Sequence, residues 1–277
     1  MRCALDAAAR MLTSGACNAE SMPWGLLRYQ HTAALRTALA ERYAPATANK
    51  TLAALRGALK EAWRLGYLTA EDHQRAADVG VVGGTSLPRG RALTRGELAA
   101  LMAVCNGDPR AWGARDSAML ALLYNAGLRR SEAVHLMLSD YERQSGALTV
   151  RRGKGNKARI VYVANGAAKA MDAWLIARGD APGPLFLPVD RYGHIVDRAL
   201  SDQSLMMALR RRAKQAGVPP FTPHDLRRTM ISDLLDAGVD IVTVQKLAGH
   251  TNVQTTAKYD RRGEDAKRHA AGLLDIG

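Results

Sequence analysis

The chain has 277 residues, 47% of them hydrophobic and 5% aromatic, so it can bury one large core or two smaller ones built from Ala, Leu and Val. Its 39 Lys and Arg against 26 Asp and Glu give a net charge of +13, which favours nucleic acid over a membrane surface as partner. No apolar run reaches membrane-spanning length, no secretory signal opens the chain, and Cys3, Cys17 and Cys105 form no C-x-x-C pair. We therefore expect a cytoplasmic protein in a reducing compartment.

Residues 1–78 are predicted to form a helical domain. A short apolar helix over Ala4–Leu12 ends at Ser14-Gly15, and a second helix is predicted over Trp24–Tyr43 after Pro23. A long third helix is predicted to start with Thr47 as its cap and to end at Gly66.

This third helix carries Arg56, Lys60 and Arg64 at i, i+4 and i+8. Such a basic stripe is usually a solvated helix face. In a chain this basic, we interpret it as a face that contacts phosphates.

Residues 79–91 are rich in glycine and lack periodicity, which predicts a linker to a second domain over 92–277. That domain should begin with a helix capped by Thr94 and Glu97, and should contain a β-hairpin around the turn at Gly153–Asn156. The hairpin strands are predicted at Ala147–Arg152 and Ala158–Val163. Further helices are predicted at Ser117–Asn125, Lys169–Ala177, Gln203–Ala216, Arg227–Ala237, Ile241–Ala248 and Val253–Lys258. The expected fold class is α+β: mainly α, with a helical N-terminal domain and a mixed α/β C-terminal domain.

The segment from Pro223 to Tyr259 offers the parts needed to attack a phosphodiester. His224 and Arg227 share one face at the start of a helix, and His250 follows the helix-ending Gly249. A tyrosine phenol has an ordinary pKa near 10, so nearby cations must help Tyr259 to lose its proton. Each residue alone has a plainer interpretation, as a capping histidine, an ion-paired arginine or a packing tyrosine, and it is their combination that points to chemistry.

Three further residues fit the same chemistry. Arg129 can bind two phosphate oxygens at once, and Glu132 is placed to orient it. Lys154 lies between two glycines in the hairpin turn and can donate a proton, with Lys157 as its competitor in the same motif. The ordinary alternatives are a helix-terminal arginine and a solvated lysine. The seven histidines form no H-E-x-x-H pattern and join no cysteine pair, so we expect neither a metal nor a cofactor.

These stretches resemble the tyrosine recombinases, or phage-type integrases, which include the Xer proteins. The matching motifs are N-A-G-L-R-R-S-E at 125–132, G-K-G-N-K-A-R at 153–159, T-P-H-D-L-R-R-T at 222–229 and L-A-G-H-T-N-V-Q-T-T-A-K-Y at 247–259. The sequence A-T-A-N-K-T-L-A-A-L-R-G-A-L-K-E-A-W at 46–63 is similar to the family's core-binding domain. Arg228 stands where many relatives carry His, and Ala248 where many carry Leu.

The resemblance implies a role for each candidate. Arg129 and Arg227 would clamp the scissile phosphate, Lys154 would protonate the leaving 5′ oxygen, His224 would assist proton transfer, His250 would bond a phosphate oxygen, and Tyr259 would be the nucleophile. DNA contacts are predicted for a wider basic set: Arg56, Lys60, Arg64, Arg89, Arg91, Lys157 and Arg228.

The resemblance also implies partners. They are a double-stranded DNA recombination site, a homo-tetramer on two duplexes with the two domains clamping DNA, and in some relatives an accessory DNA-bending protein. The chain begins close to the core-binding helices, which predicts that it lacks an arm-binding domain. The tail at 264–276 is predicted to dock on a neighbouring subunit, with packing in cis as the alternative.

The expected function is site-specific recombination through a 3′-phosphotyrosyl link for a mobile element, near the nucleoid. The alternatives are Xer-type resolution of DNA dimers, a topoisomerase-like reaction on one duplex and a DNA-binding relative without activity.

Overall fold

The structure, a computed structural model, describes residues 1–84, 90–151, 158–260 and 271–272. The chain divides into two compact units, Met1–Arg89 and Gly90–Gly277. Helices dominate both, and a small antiparallel sheet lies in the second, so the predicted α+β fold class is confirmed. Within the described ranges, no helix combines the length and the apolar character needed to cross a membrane.

The first unit is helical. Leu35 and Leu39 from one helix pack with Leu52, Leu55 and Leu59 from the next to form its core. The helices are α1 (Arg2–Leu12), α2 (Tyr29–Arg42), α3 (Pro45–Arg64) and α4 (Ala70–Ala77).

Two predicted helix boundaries in this unit are wrong. The continuous helix over Trp24–Tyr43 is replaced by a 3₁₀ turn, Trp24–Leu26, and a separate α2, because Arg28 adopts an extended conformation and turns its guanidinium onto the carbonyls of Gly25 and Leu27. Helix α3 starts at Pro45, not after Thr47, since proline suits the first helical turn. Gly66 ends α3 as predicted, with φ +80°.

The beginning of the predicted linker is packed on this unit. Val79 and Val82 are buried, and the Asn49 side chain bonds both the N–H and the carbonyl of Val82, at 2.7 and 2.9 Å. Arg36 donates to the carbonyls of Gly80 and Val81. Residues 79–82 are therefore held in place in the structure, while 85–89 lie outside the described residues.

The second unit is larger and mixed. The predicted capping box at its start is confirmed, since the Thr94 N–H donates to Glu97 at 2.8 Å and the Glu97 N–H donates to the Thr94 hydroxyl at 3.2 Å. Its elements are α5 (Arg95–Asn106), α6 (Ala111–Asn125), α7 (Arg130–Val134), β1 (Tyr141–Glu142), β2 (Ala147–Val150), β3 (Arg159–Tyr162), α8 (Asn165–Arg178), α9 (Asp202–Gln215), α10 (Pro223–Asp236), α11 (Ile241–Ala248) and α12 (Val253–Ala257).

The sheet has the order β1-β2-β3, and all its described neighbours pair antiparallel. Leu148 pairs with Val161 and Val150 with Arg159, which confirms the predicted pairing of the two hairpin strands. Strand β1 was not predicted, because two residues are too few to show an alternating pattern. The turn at Gly153–Asn156 lies outside the described residues.

A buried ion network joins α6 to α9. The Asp116 carboxylate accepts hydrogen bonds from Arg115, Arg211 and Arg212, at distances between 2.6 and 3.0 Å. Arg212 also donates to Asp108 at 2.9 Å. This network fixes α9, and the chain then leads directly from α9 into α10.

A smaller apolar cluster joins α10 to α11. Ile231 and Leu235 pack there against Val244 and Ala248, with Tyr259 at the edge. The Tyr124 hydroxyl of α6 donates to Asp233 of α10 at 2.6 Å. Both contacts hold α10 and α11 against the end of α6, where the candidate site lies.

Candidate active site

The start of α10 presents two of the predicted site residues. Thr222 caps this helix with Asp225, whose carboxylate accepts from the Thr222 N–H and hydroxyl, both at 2.8 Å. His224 then lies in the first turn, where helix N–H groups and the helix dipole favour an anion, and Arg227 follows three residues later.

The turn after α6 presents Arg129. Gly127 has φ +54°, a left-handed conformation that favours glycine, and it lies against Met230 of α10. Arg129 then occupies the N-cap position of α7. Its N–H donates to Glu132 Oε2 at 2.9 Å, and its Nη1 donates to Glu132 Oε1 at 2.5 Å. The short helix α7 thus holds the guanidinium against its own carboxylate.

Three guanidinium groups converge on the C-terminal end of α11. Arg159 Nε donates to the Leu247 carbonyl at 3.1 Å, Arg227 Nη2 to the Ala248 carbonyl, and Arg129 Nη2 to the Gly249 carbonyl at 3.1 Å. The last carbonyls of a helix lack partners within the helix and carry partial negative charge. The end of α11 therefore gathers these cations from three separate segments of the chain.

The turn after α11 brings His250 and Tyr259 together. Gly249 is left-handed, with φ +62°, and ends the helix as predicted. His250 Nδ1 is hydrogen-bonded to Thr256 Oγ1 at 2.9 Å. The His250 and Tyr259 rings are stacked, with centroids 6.4 Å apart and planes 20° apart. The short helix α12 therefore returns the tyrosine to the histidine.

A cavity of ≈ 370 Å³ opens beside these groups and is lined by Arg129, His224 and Arg227 among others. Three arginines, Arg129, Arg130 and Arg227, and the imidazole of His224 thus line one concave space at a helix N-terminus. Such a space suits a tetrahedral anion.

The comparison with known proteins identifies a family. The model of the phage integrase family matches residues 91–265, which is more than half of the chain.

The chain belongs to the phage integrase family.

Curated relatives of this family place the chain near the Xer proteins. It is 38% identical over 176 residues to the tyrosine recombinase XerA of Thermococcus kodakarensis, and 39% identical over 185 residues to the tyrosine recombinase XerD of Mycobacterium leprae. Each alignment covers 64% of this chain, and 59% and 57% of the respective relative. The chain therefore matches less than two thirds of each relative's length.

Solved structures of the family share the fold over most of the chain. A crystal structure of XerA recombinase aligns with TM-score 0.53 and 25% identity, covering 89% of this chain and 83% of that one. The Tn1549 transposon integrase in complex with transposon right end DNA aligns with TM-score 0.70 and 17% identity, covering 98% and 92%. The recognition of a tyrosine recombinase relative from the sequence is confirmed.

The electrostatics of the candidate site follow from the burial of its residues and from its closely spaced arginines. Burial lowers the pKa of Arg227 to about 10, helped by Arg129 and Arg159, while Tyr259 acts in the opposite direction. Burial and the neighbouring arginines also lower the pKa of His250 to about 4 and lower the pKa of His224. Both imidazoles are therefore neutral at pH 7 in the free protein.

Glu132 is the counter-charge of this site. Burial would raise its pKa, but the bonds from Arg159 and from the Arg129 backbone and side chain outweigh burial and lower it to about 2. The carboxylate stays ionised, and it compensates part of the charge of the three arginines.

The structure brings Arg129, Glu132, His224, Arg227, His250 and Tyr259 together. The predicted Lys154, Lys157 and Arg89 lie outside the described residues, as does nearly all of the tail at 264–276. The roles assigned to all these residues stay predictions.

Several residues predicted to bind DNA have contacts within the chain. Arg56 donates to the carbonyls of Ala77 and Val79. Arg91 donates to Glu97 and to the Pro219 carbonyl. Guanidiniums occupied in this way have fewer donors for a phosphate.

Arg228 is buried as well. It donates to the Gly90 carbonyl at 2.7 Å, and its Cζ lies 5.3 Å from the centre of the Tyr259 ring. This guanidinium is therefore placed against the phenol ring.

Of the predicted basic stripe, Lys60 is exposed, and Arg64 forms an exposed pair with Glu61.

The sequence reasoning gave no role to Arg159 and Thr256. Arg159 binds Glu132 through both Nη atoms, at 3.1 and 2.8 Å, and Thr256 binds His250. Both residues lie inside motifs that carried the resemblance, so the signal was present. Their partners are distant in sequence or across a turn, and a single sequence does not reveal them.

Proposed function

We propose that this protein is a site-specific DNA recombinase that cleaves and rejoins DNA through a 3′-phosphotyrosyl intermediate. The observation that carries the proposal is the cavity lined by Arg129, Arg227 and His224. A second neutral histidine, His250, lies close to the same arginines and is stacked on the Tyr259 ring. The names of the similar proteins, tyrosine recombinases and a transposon integrase, support the same activity.

The proposed chemistry begins with the phenol. Tyr259 Oη attacks phosphorus and loses its proton, for which the neutral His224 is the acceptor. The bond from phosphorus to the 5′ oxygen breaks, and Lys154 donates a proton to that oxygen. The products are a 3′-phosphotyrosine and a free 5′-hydroxyl, and attack by a 5′-hydroxyl of the partner duplex reverses the step. The energy of the broken bond is retained in the phosphotyrosine, so no ATP is consumed.

The arginines act by electrostatic stabilisation. Charge builds up on the non-bridging oxygens as phosphorus becomes five-coordinate, and fixed donors aimed at those oxygens lower the barrier. Arg129 and Arg227 are held on the carbonyls at the end of α11 before any DNA arrives, so little reorganisation is needed. His250, neutral in the free protein, donates a hydrogen bond to one of the same oxygens.

The partners we propose are double-stranded DNA and three further copies of this chain on two duplexes. The first unit contributes phosphate contacts through the exposed Lys60 and Arg64 of α3. An accessory DNA-bending protein is part of this proposal for sites that must be bent before synapsis.

Covalent capture tests the proposal. The protein is incubated with duplexes that contain randomised cores and a nick, and complexes that survive denaturing electrophoresis are collected and sequenced. Wild-type protein should form an adduct that migrates more slowly, Tyr259→Phe should form none while still binding DNA, and the exposed control Tyr192→Phe should behave as wild type. An adduct from Tyr259→Phe would refute the assignment.

The recovered DNA then assigns the biological role. Sites at the ends of a mobile element would identify an integrase of that element, as we propose from the sequence Y-D-R-R-G-E-D-A at 259–266. A single chromosomal site would identify the alternative, Xer-type resolution.

A further inference from the structure

Arg159 occupies the first position of β3, the strand that pairs with β2. Its side chain is 11% exposed. Its donors are directed at two partners from other segments: Nη1 and Nη2 at Glu132, and Nε at the Leu247 carbonyl. The chemistry proposed above does not use this residue.

The contact with Glu132 determines how that carboxylate is oriented. Arg159 binds one oxygen at 3.1 Å and the other at 2.8 Å, and a two-pronged contact of this kind fixes the plane of the carboxylate. The same two oxygens accept from the Arg129 Nη1 and from the Arg129 N–H. Glu132, whose side chain is 1% exposed, thus binds both guanidiniums, so the position of Arg129 depends on that of Arg159.

The contact with Leu247 acts on the end of α11. The Leu247 carbonyl lies at the end of α11, two residues before the Gly249 turn that leads to His250. A Cβ at Gly249 would lie 3.1 Å from Arg159 Cδ, so the arginine side chain runs directly along this turn. Arg159 therefore supports the segment that carries His250.

We propose that Arg159 is a positioning residue, which holds the Arg129 guanidinium through Glu132 and the His250 turn through the Leu247 carbonyl. This inference rests on the proposed function. Arg159 does not itself touch the reacting phosphate. Its guanidinium makes three directed contacts in one plane, which the single ammonium of lysine does not reproduce.

The first test compares Arg159→Gln, Arg159→Lys, Glu132→Gln and the double variant Glu132→Gln/Arg159→Gln. The probe is a nicked duplex of the sequence that wild-type protein captures, and the single-turnover adduct rate is measured with saturating protein. Both Arg159 variants should cleave about 100-fold more slowly, the order of loss expected when reacting groups shift by about 1 Å. DNA affinity should stay within about twofold, because the loss is in orientation and not in phosphate contacts.

The double variant tests the route through Glu132. If Arg159 acts through that carboxylate, removing both should slow cleavage no more than about threefold beyond the slower single variant. If the rate loss of the double variant equals the product of the two single losses, the proposal is overturned. A wild-type rate for Arg159→Gln, or rescue of the rate by Arg159→Lys, would also overturn it.

Arg151→Gln is the matched control. Arg151 lies at the other base of the same hairpin and also pairs with a buried carboxylate, that of Asp140. The same substitution there removes an ion pair from the hairpin without touching Glu132 or α11. Its cleavage rate at saturating protein should equal that of wild type, and an equal loss in both variants would overturn the proposal.

A sulfur-substituted substrate separates positioning of Arg129 from an effect on the hairpin lysine. A 5′-bridging phosphorothiolate releases a thiol with an ordinary pKa of about 8.5, which leaves without receiving a proton. If Arg159→Gln misplaces Arg129 and His250, its slow cleavage should persist on this substrate. Restoration of the rate for Arg159→Gln would mean that the residue works through the hairpin, and would overturn the route through Glu132.

A final measurement needs no DNA. The Arg129 side-chain resonance, followed by nitrogen-15 NMR, should shift and broaden in Arg159→Gln and stay unchanged in Arg151→Gln. An unchanged resonance in Arg159→Gln overturns the positioning role even if the protein proves inactive. Failure of wild type to form any adduct refutes the proposed function instead, so the two failures are distinguishable.

Discussion

The ring of His250 lies nearly parallel to the ring of Tyr259, with centroids 6.4 Å apart and an interplanar angle of 20°. The eight residues between them form a turn and the short helix α12. The histidine is fixed in this arrangement by Thr256, which lies inside that helix. The position of Tyr259, the proposed nucleophile, thus depends on a local structure as well as on the arginines.

Thr256→Val should slow adduct formation about fivefold. The change keeps the shape of this fully buried side chain but leaves His250 Nδ1 without its partner, a loss of about 1 kcal/mol. The single-turnover cleavage rate measures it. The neighbouring exposed Thr255→Val is the control and should cleave normally, whereas a normal rate for Thr256→Val would mean that the hydrogen bond does not position His250.

Arg129→Gln and Arg227→Gln should each lower the cleavage rate by about 10²–10³, the usual cost of removing one donor to a developing oxyanion. The effect should be in the rate at saturating protein. Arg143→Gln is the control, since that arginine forms an exposed pair with Asp172 away from the cavity. Cleavage by both site variants at the control rate would reject the clamping role.

The imidazole of His250 should titrate near pH 4 in free protein, and Arg129→Gln should raise that pKa. Burial and the positive charges of Arg227 and Arg129 disfavour the imidazolium, so removing one cation makes protonation easier. Carbon-13 NMR of labelled histidine rings, assigned with His250→Gln, measures both values. A pKa of 6.5 in wild type would contradict the buried, cation-rich site.

Glu132→Gln should destabilise the protein less at pH 3 than at pH 5. The folded pKa of about 2 lies below the ordinary value of 4.5, so ionised Glu132 contributes stability above pH 4.5 that is lost as the pH falls toward 2. Urea unfolding of wild type and variant at several pH values gives the difference in free energy. A difference that is constant with pH would contradict the shifted pKa.

Asp116→Asn should lower the free energy of unfolding by about 3–5 kcal/mol, because it removes the carboxylate shared by three arginines and leaves buried charge uncompensated. Urea unfolding measures the loss, and exposed Asp236→Asn is the control. A loss below about 1 kcal/mol would show that Asp108 alone balances the network.

Local signals in the sequence predicted much of the fold. Helix α11 was predicted from its first to its last residue, since Gly249 is a strong stop signal. The helix over Trp24–Tyr43 was predicted wrongly, because the contacts of the Arg28 side chain with nearby carbonyls break it and no propensity reveals them.

Only part of the candidate site was predicted, because local motifs reveal residue types but not contacts between distant residues. Arg227 was identifiable from its motif, but its burial and its bonds to the carbonyls of Gly127 and Ala248 were not. Arg159 stood in a quoted motif without a role, because its partner Glu132 lies on helix α7, far from it in the sequence.

The amino-acid sequence by itself determined the residue types of the chemistry, their order and the helix ends that carry them, because glycines, caps and periodicity act over a few residues. The tertiary structure decided which charges share one space. Three arginines from separate segments meet on successive carbonyls at the end of α11, and Glu132 pairs with two of them. Such contacts depend on packing between distant elements, and burial there sets the pKa values of the histidines.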